Sequence, residues 1–285
     1  MEENRSFGRL REAAYQFARN RLAVVCLILL LVIVFAAVFA DFVAPEGIDE
    51  QNIAQALQPP GLKHWFGTDN YGRDIFSRVI YGGRISLLVA LLSTAVSTLA
   101  GVMLGAAAGY YGGLVDNVIM RIMDVFMAIP SLLMAIVLAT SLGAGLRNTI
   151  LAIAISSIPS FTRVVRAPVL SAKQNEYIEA CRAIGARPLR LIVRHILPNV
   201  MAIIIVQSTL GVANAIISVA SLSFLGLGVQ PPTPEWGTML SMGRSYITKC
   251  SWMVTYPGLA IVVSVICLNV LGDALRDVLD PRLKQ

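Results

Sequence analysis

The chain has 285 residues, of which 56% are hydrophobic and only 14% charged. Soluble domains carry about 25% charged residues, so this composition excludes a soluble globular enzyme, and its apolar content excludes a disordered chain. The net charge of +6 fits Lys and Arg gathered in loops against an anionic leaflet better than a nucleic-acid surface. The cysteines (Cys26, Cys181, Cys250 and Cys267) lack CxxC spacing, and His64 and His195 stand far apart, so neither a disulfide framework nor a metal cofactor is expected.

The basic tail 4–21 places Phe7, Leu10, Ala14 and Phe17 at helical spacing, which suits a short helix in the interface plane or a solvated anchor. Six apolar runs follow, near 22–42, 85–109, 118–140, 148–167, 199–222 and 253–272. Each is long enough to cross a hydrocarbon core, which takes about 20 residues. The first is too long for the core of a signal peptide and reads as a retained span. Asp124, Pro130, Pro159 and Arg163 interrupt or bound the third and fourth. A proline inside a span frees a carbonyl, so the polar sides of both spans should face protein, with Ser131, Ser156, Ser157 and Ser160 at hand. The expected fold is an all-α integral membrane bundle of six spans. Residues 1–84 form a tail, first span and outer segment, and residues 85–285 form a core.

With both termini on the cytoplasmic side, sixteen of the 23 Lys and Arg lie there and seven outside, as the positive-inside rule requires. The second span carries Ser93, Ser97, Gly101, Gly105 and Gly109, each four apart. Such a small-residue stripe lets two backbones approach closely, within this chain or at a subunit seam. Gln207, Asn214 and Asn269 lie at mid-membrane. They are candidates for lining a solute path or for hydrogen bonding between helices. Asp124 suits an interfacial carboxylate, or one paired with Arg121, better than an ion-coupling site. Outside, the loops 43–84 and 223–252 mix both signs of charge. Glu235 to Ile247 suggests a short surface helix anchored by Trp236, and the Gly67–Arg73 turn suggests a buttress for the bundle.

The loop 173–198 is too charged to cross a membrane. Tyr177, Ala180, Cys181 and Ile184 share one helical face, with Glu176, Glu179 and Arg182 off it. Gly185 suits a helix end, Pro188 the first turn of a second helix, and Leu189, Ile192, Val193 and Ile196 give that helix its apolar face. Pro198 opens the fifth span. An exposed helix with apolar positions to spare suits a groove on a partner, or a cap on the bundle's own base.

Glu179-Ala180-Cys181, Gly185 and Leu197-Pro198 resemble the EAA loop of permease subunits in bacterial ABC importers, with Cys181 for the third Ala and His195 for the usual Ile. The segments Phe66–Arg78 with Gly83–Leu87, Ser221–Gly228 with Pro231–Gly237, and Gly272–Arg282 resemble the C-type permeases of the dipeptide, oligopeptide and nickel group. The resemblance implies a type I importer fold in the bacterial inner membrane, with a cytoplasmic coupling helix. It implies four kinds of partner: a second, B-type permease, two ATP-binding subunits, an extracytoplasmic solute-binding protein and the bilayer. It places Glu176, Glu179, Ala180, Cys181, Gly185, Leu197 and Pro198 at the ATPase contact. Members of the group carry dipeptides, oligopeptides, glutathione or nickel complexes. No Lys follows a Gly, so the chain has no phosphate-binding GxxxxGK[ST] loop of its own, and catalysis within it is not expected. The alternative is an ion-coupled carrier, which would need ionisable groups at mid-membrane.

Overall fold

The computed structural model describes residues 15, 17–48 and 50–279. The tail residues Phe7, Leu10 and Ala14 and the closing Pro281–Arg282 lie outside them. Among the described residues, five helices are long and apolar enough to span a membrane, and a bent pair supplies a sixth crossing. The end of the bundle that carries 173–198 is termed basal, and the opposite end distal.

Helix α1 (Arg21–Val38) starts at Asn20, whose Oδ1 accepts the Ala23 N–H at 3.1 Å. It has a mean hydropathy of 3.1 and only 17% of it is buried, so most of its surface is left to lipid. One further turn, α2 (Ala40–Val43), ends the span.

Helix α3 (Ile75–Tyr111) begins ten residues before the apolar run near 85–109. At 1.5 Å per residue it is about 55 Å long, well beyond a hydrocarbon core of about 30 Å. Its distal start sits in a buried polar knot, so hydropathy does not register it. Asp74 caps the helix: Oδ2 accepts from the Ser77 N–H and Oγ, each at 2.8 Å, while Oδ1 lies 3.0 Å from His64 Nδ1. Arg73 Nε donates to Asp69 Oδ2 at 2.7 Å, and Trp252 Nε1 donates to the Thr68 carbonyl at 3.2 Å. Mixed charges in this loop are therefore not simply solvated. His64, Asp69, Arg73, Asp74 and Arg78 are buried, while Glu50 and Lys63 face water. The Gly67–Arg73 turn does buttress the bundle, through Trp252.

The third apolar run is not one rod. It divides into α4 (Gly113–Met127) and α5 (Ser131–Leu142), which meet at 86°. Pro130 drives the break, because its ring excludes the α conformation at Ile129 and it has no N–H to donate. Helix α6 (Leu146–Ala172) follows. Its contact with α3 is the most extensive between any two helices.

The small-residue stripe of α3 is the reason. A Cβ on Gly105 would fall 2.6 Å from the Thr162 carbonyl oxygen, and one on Gly109 2.8 Å from that of Arg166. A Cβ on Gly101 would collide with Phe161. The stripe is thus an internal seam, and larger residues would force α3 and α6 apart.

At the basal end, α7 (Glu176–Ala183) and α8 (Pro188–Leu191) lead through a π turn, Ile192–Ile196, into α9 (Leu197–Phe224). Pro198 stands in the first turn of α9, as expected for the opening of the fifth span, and the helix runs back from it without a break to Pro188. Having no N–H, Pro198 leaves the Arg194 carbonyl without a helical donor, and the wide turn absorbs the loss: Leu197 N–H bonds to the Ile192 carbonyl. Helix α10 (Trp236–Gly243) then re-enters at the distal end, before α11 (Trp252–Leu279) returns to the base. Trp236 is not an interfacial anchor. It is 1% exposed, packs on Gly82 and Gly83, and donates its indole N–H to the Val79 carbonyl at 2.9 Å. Small residues on α3 leave space for the ring, so it serves the core rather than a membrane belt.

Candidate functional site

Two features stand out along the axis of the bundle: the basal segment 176–198 and a cavity above it. The segment's two short helices meet at a complete Schellman stop. Ile184 ends α7 and Gly185 follows at φ +83. The Ala186 N–H bonds to the Cys181 carbonyl at 3.1 Å and the Gly185 N–H to that of Arg182 at 3.0 Å. Positive φ at the second position is what a glycine permits at no cost in strain. Pro188 then occupies the first turn of α8, where no N–H is needed.

One side of this segment is seated on the bundle. Ile178, Leu191, Ile192 and Ile196 are buried in a cluster with Ala106 and Tyr110 of α3, Val165 and Val169 of α6, and Val200 of α9. Cys181, Ala186 and Leu197 pack partly against it. The other side is exposed among the described residues: Ile184 is 85% exposed and Leu189 71%, with Tyr177, Val193, Glu176, Glu179, Ala180 and Pro198 also exposed. The face read from the sequence is therefore divided. Cys181 turns inward, while Tyr177, Ala180 and Ile184 turn out. In the second helix Ile192 and Ile196 turn inward, joined by Leu191, while Leu189 and Val193 turn out. Ile178 was missed, because a two-turn helix carries two apolar stripes and only its neighbours decide which is inward. Asn199 Nδ2 ties the segment back, donating to Tyr177 Oη at 2.5 Å and to the His195 carbonyl at 2.8 Å.

The cavity has a volume of about 330 Å³. Polar lining comes from Thr94 and Ser97 of α3, Ser131 of α5, Ser156, Ser157 and Ser160 of α6, and Gln207, Asn214 and Ser218 of α9. Among the described residues, no ionisable side chain lines it. Several hydroxyls donate to their own helix: Ser97 to the Thr94 carbonyl, Ser156 to Ile153 and Ser218 to Asn214. Their oxygen lone pairs are left facing the space, beside amides that both donate and accept. Such a wall holds a polar solute by hydrogen bonds without fixing its charge. Of the three mid-membrane amides, Gln207 and Asn214 share this cavity. Asn269 does not; it is exposed on α11.

Basal to the cavity, two ion pairs join α4 to α6. Asp124 pairs not with Arg121 but with Arg163, Nη2 to Oδ1 at 2.6 Å. Asp116 holds Arg166 at two points. These carboxylates are paired with arginines and lie off the cavity wall.

Comparison with known proteins agrees with this architecture. The family described as "binding-protein-dependent transport system inner membrane component" matches residues 101–285. The "N-terminal TM domain of oligopeptide transport permease C" matches residues 8–60. The chain is 46% identical over 274 residues to a dipeptide transport system permease protein of Alkalihalophilus pseudofirmus, covering 96% of this chain and 90% of that one. It is 47% identical to a di/tripeptide transport system permease of Pseudomonas aeruginosa (96% and 93% covered). It is 45% identical to a glutathione transport system permease of Escherichia coli (94% and 89% covered). Among solved structures, the inward-facing MetNI methionine ABC transporter shares the fold, with a TM-score of 0.58 at 18% identity over 71% of this chain and 97% of that one. The EAA-like spacing, the multi-span bundle and these matches together place the chain in one family: it is a permease subunit, an inner membrane component of a binding-protein-dependent transport system.

Proposed function

We propose that this permease moves di- or oligopeptides, or a closely related small solute, inward, driven by ATP hydrolysed on separate subunits docked at segment 176–198. The observation that carries the reading is the two-sided basal segment. One face is built into the bundle, and the other presents the exposed Glu179, Ile184 and Leu189 around a fixed Gly185 stop. An exposed helix face that joins apolar and acidic residues suits a groove on a partner protein. Peptides as solutes are supported by the names of the relatives and by a cavity wall of hydroxyls and amides.

In this reading the sixteen-to-seven bias of Lys and Arg puts both termini and the docking segment in the cytoplasm. A second, B-type permease completes the path, two ATP-binding chains sit below, and a solute-binding protein docks on the distal loops. ATP binding closes the ATPase pair, tilts the bundle through the segment and opens the path outward. Hydrolysis resets it. Solute and nucleotide are coupled because each favours the same bundle conformation.

The test is to purify the tagged chain from its host membrane and reconstitute it with its binding protein. Co-purified ATP-binding chains and ATP-dependent uptake of a labelled dipeptide are the expected result. Uptake driven by an ion gradient, with no ATP-binding chain present, would overturn it.

A further inference from the structure

We infer that Gln207 and Asn214 of α9 read the peptide groups of the solute and leave its charge unread, so that acidic and basic short peptides pass this subunit alike. The inference deepens the peptide reading given above and rests on it.

Gln207, Gly211, Asn214 and Ser218 follow one another on α9 at spacings of four, three and four, and all line the cavity. Seven residues make nearly two turns, so the two amides share a face with about 10.5 Å of axial rise between them. Between them the wall is apolar and close: Gly211 has no side chain, and a Cβ there would fall 2.8 Å from the Phe161 ring. Ser157 and Ser160 of α6 line the same space.

Membrane helices also use amides to bind one another, but that use is not made here. Among the described residues, the side chains of Gln207, Asn214, Ser157 and Ser160 form no hydrogen bond. The bond between helices is made instead by Ser208, next to Gln207, which meets Thr98 at 3.1 Å. A side-chain amide at this depth needs a partner, whether water or solute. Its carbonyl accepts and its NH₂ donates, which complements the N–H and C=O of a peptide group. The rise between the two amides matches about three extended residues at about 3.3–3.6 Å each, the length of a short peptide.

Charge is treated differently. Among the described residues no ionisable group lines the wall, and the basal carboxylates Asp124 and Asp116 are taken up by Arg163 and Arg166. A fixed charge in a low dielectric would hold one class of peptide and repel the other. Amides and hydroxyls turn to suit either.

The experiment uses the complete complex in proteoliposomes, with its binding protein saturated by labelled Ala-Lys or Ala-Glu in separate runs, so that capture does not set the rate. The readout is the ratio of the two import rates at pH 8. The parent should import both within about threefold, and a preference of tenfold or more, about 1.4 kcal/mol, overturns the inference. Gln207→Glu and Asn214→Asp each place a carboxylate, ionised at that pH, on the wall. Each should slow Ala-Glu about tenfold more than Ala-Lys. Gln207→Leu combined with Asn214→Leu should slow both peptides equally, by about tenfold or more. Asn269→Asp, off the cavity on α11, should leave the ratio unchanged. A ratio unmoved by both acidic variants, or moved as far by Asn269→Asp, overturns the inference. Acidic variants that shed the second permease with the ratio unchanged would show that the amides bind that subunit, and overturn it too. A parent that imports neither peptide but carries another solute would instead sink the peptide reading itself.

Discussion

Arg166 grips Asp116 at both carboxylate oxygens, Nε to Oδ1 and Nη2 to Oδ2, each at 2.5 Å. This two-point bridge fixes α4 against α6 beside the joint with the docking segment. Its neighbour, Arg163 with Asp124, makes one contact and is about half exposed on both sides.

That contrast gives a ranked expectation. The guanidinium and carboxylate of the first pair are only 31% and 16% exposed. Asp116→Asn should cost about 1–3 kcal/mol, because a partly buried guanidinium loses its charged partner. Asp124→Asn should cost no more than about 1 kcal/mol, as for other exposed pairs. Thermal unfolding of the two variants in detergent checks the order, and equal shifts in midpoint would contradict it.

The docking face offers a second expectation. Glu179→Lys reverses an exposed charge, and Gly185→Val puts a β-branched residue at φ +83, at a strain of at least about 1–2 kcal/mol. The double variant should still insert in the membrane at the normal level, because neither residue is packed in the bundle. Co-purified ATP-binding chains and peptide uptake should both fall steeply. Undiminished uptake with normal stimulation of ATPase would remove the docking role from this face.

The distal end offers a third. Glu235 is completely buried, and its carboxylate accepts from Ser86 Oγ at 2.9 Å, the Gly237 N–H at 3.0 Å and the Thr238 N–H at 2.9 Å, so it caps α10 and latches it to α3. Glu235→Gln sets an NH₂ against one of these donors and should cost about 1–3 kcal/mol. Ser86→Ala removes one bond and should cost about 1 kcal/mol. The check is the pair of melting temperatures, and a Gln variant as stable as the parent would show that the carboxylate carries no such role.

Hydropathy and proline placement made the crossings and the basal helix–stop–helix legible in the sequence, down to Gly185 and Pro188. What they did not reveal has a tertiary origin. The start of α3 was masked because Arg73 and Arg78 are paired with Asp69 and Asp74 is held by His64 and Ser77 inside the protein, where a hydropathy window counts these charges as exposed. Pro130 announced an interruption, but the 86° angle between α4 and α5 depends on their packing against α3, α6 and α9. Trp236 follows the interfacial pattern in sequence and is buried because Gly82 and Gly83, some 150 positions away, leave space for it. The serines of α6 were visible as hydroxyls, but their convergence with Gln207 and Asn214 on one cavity needed three helices to be placed in register.

The wide turn at Ile192–Ile196 sets the azimuth of the docking face. Each residue advances a helix by about 100°, and a π turn holds one residue more than the regular ladder admits. A chain shortened by one residue there would keep its hydropathy and its continuous rod. Its Leu189 and Val193 would swing about a quarter turn around the axis relative to the bundle, and a groove cut for the original orientation would meet the wrong side.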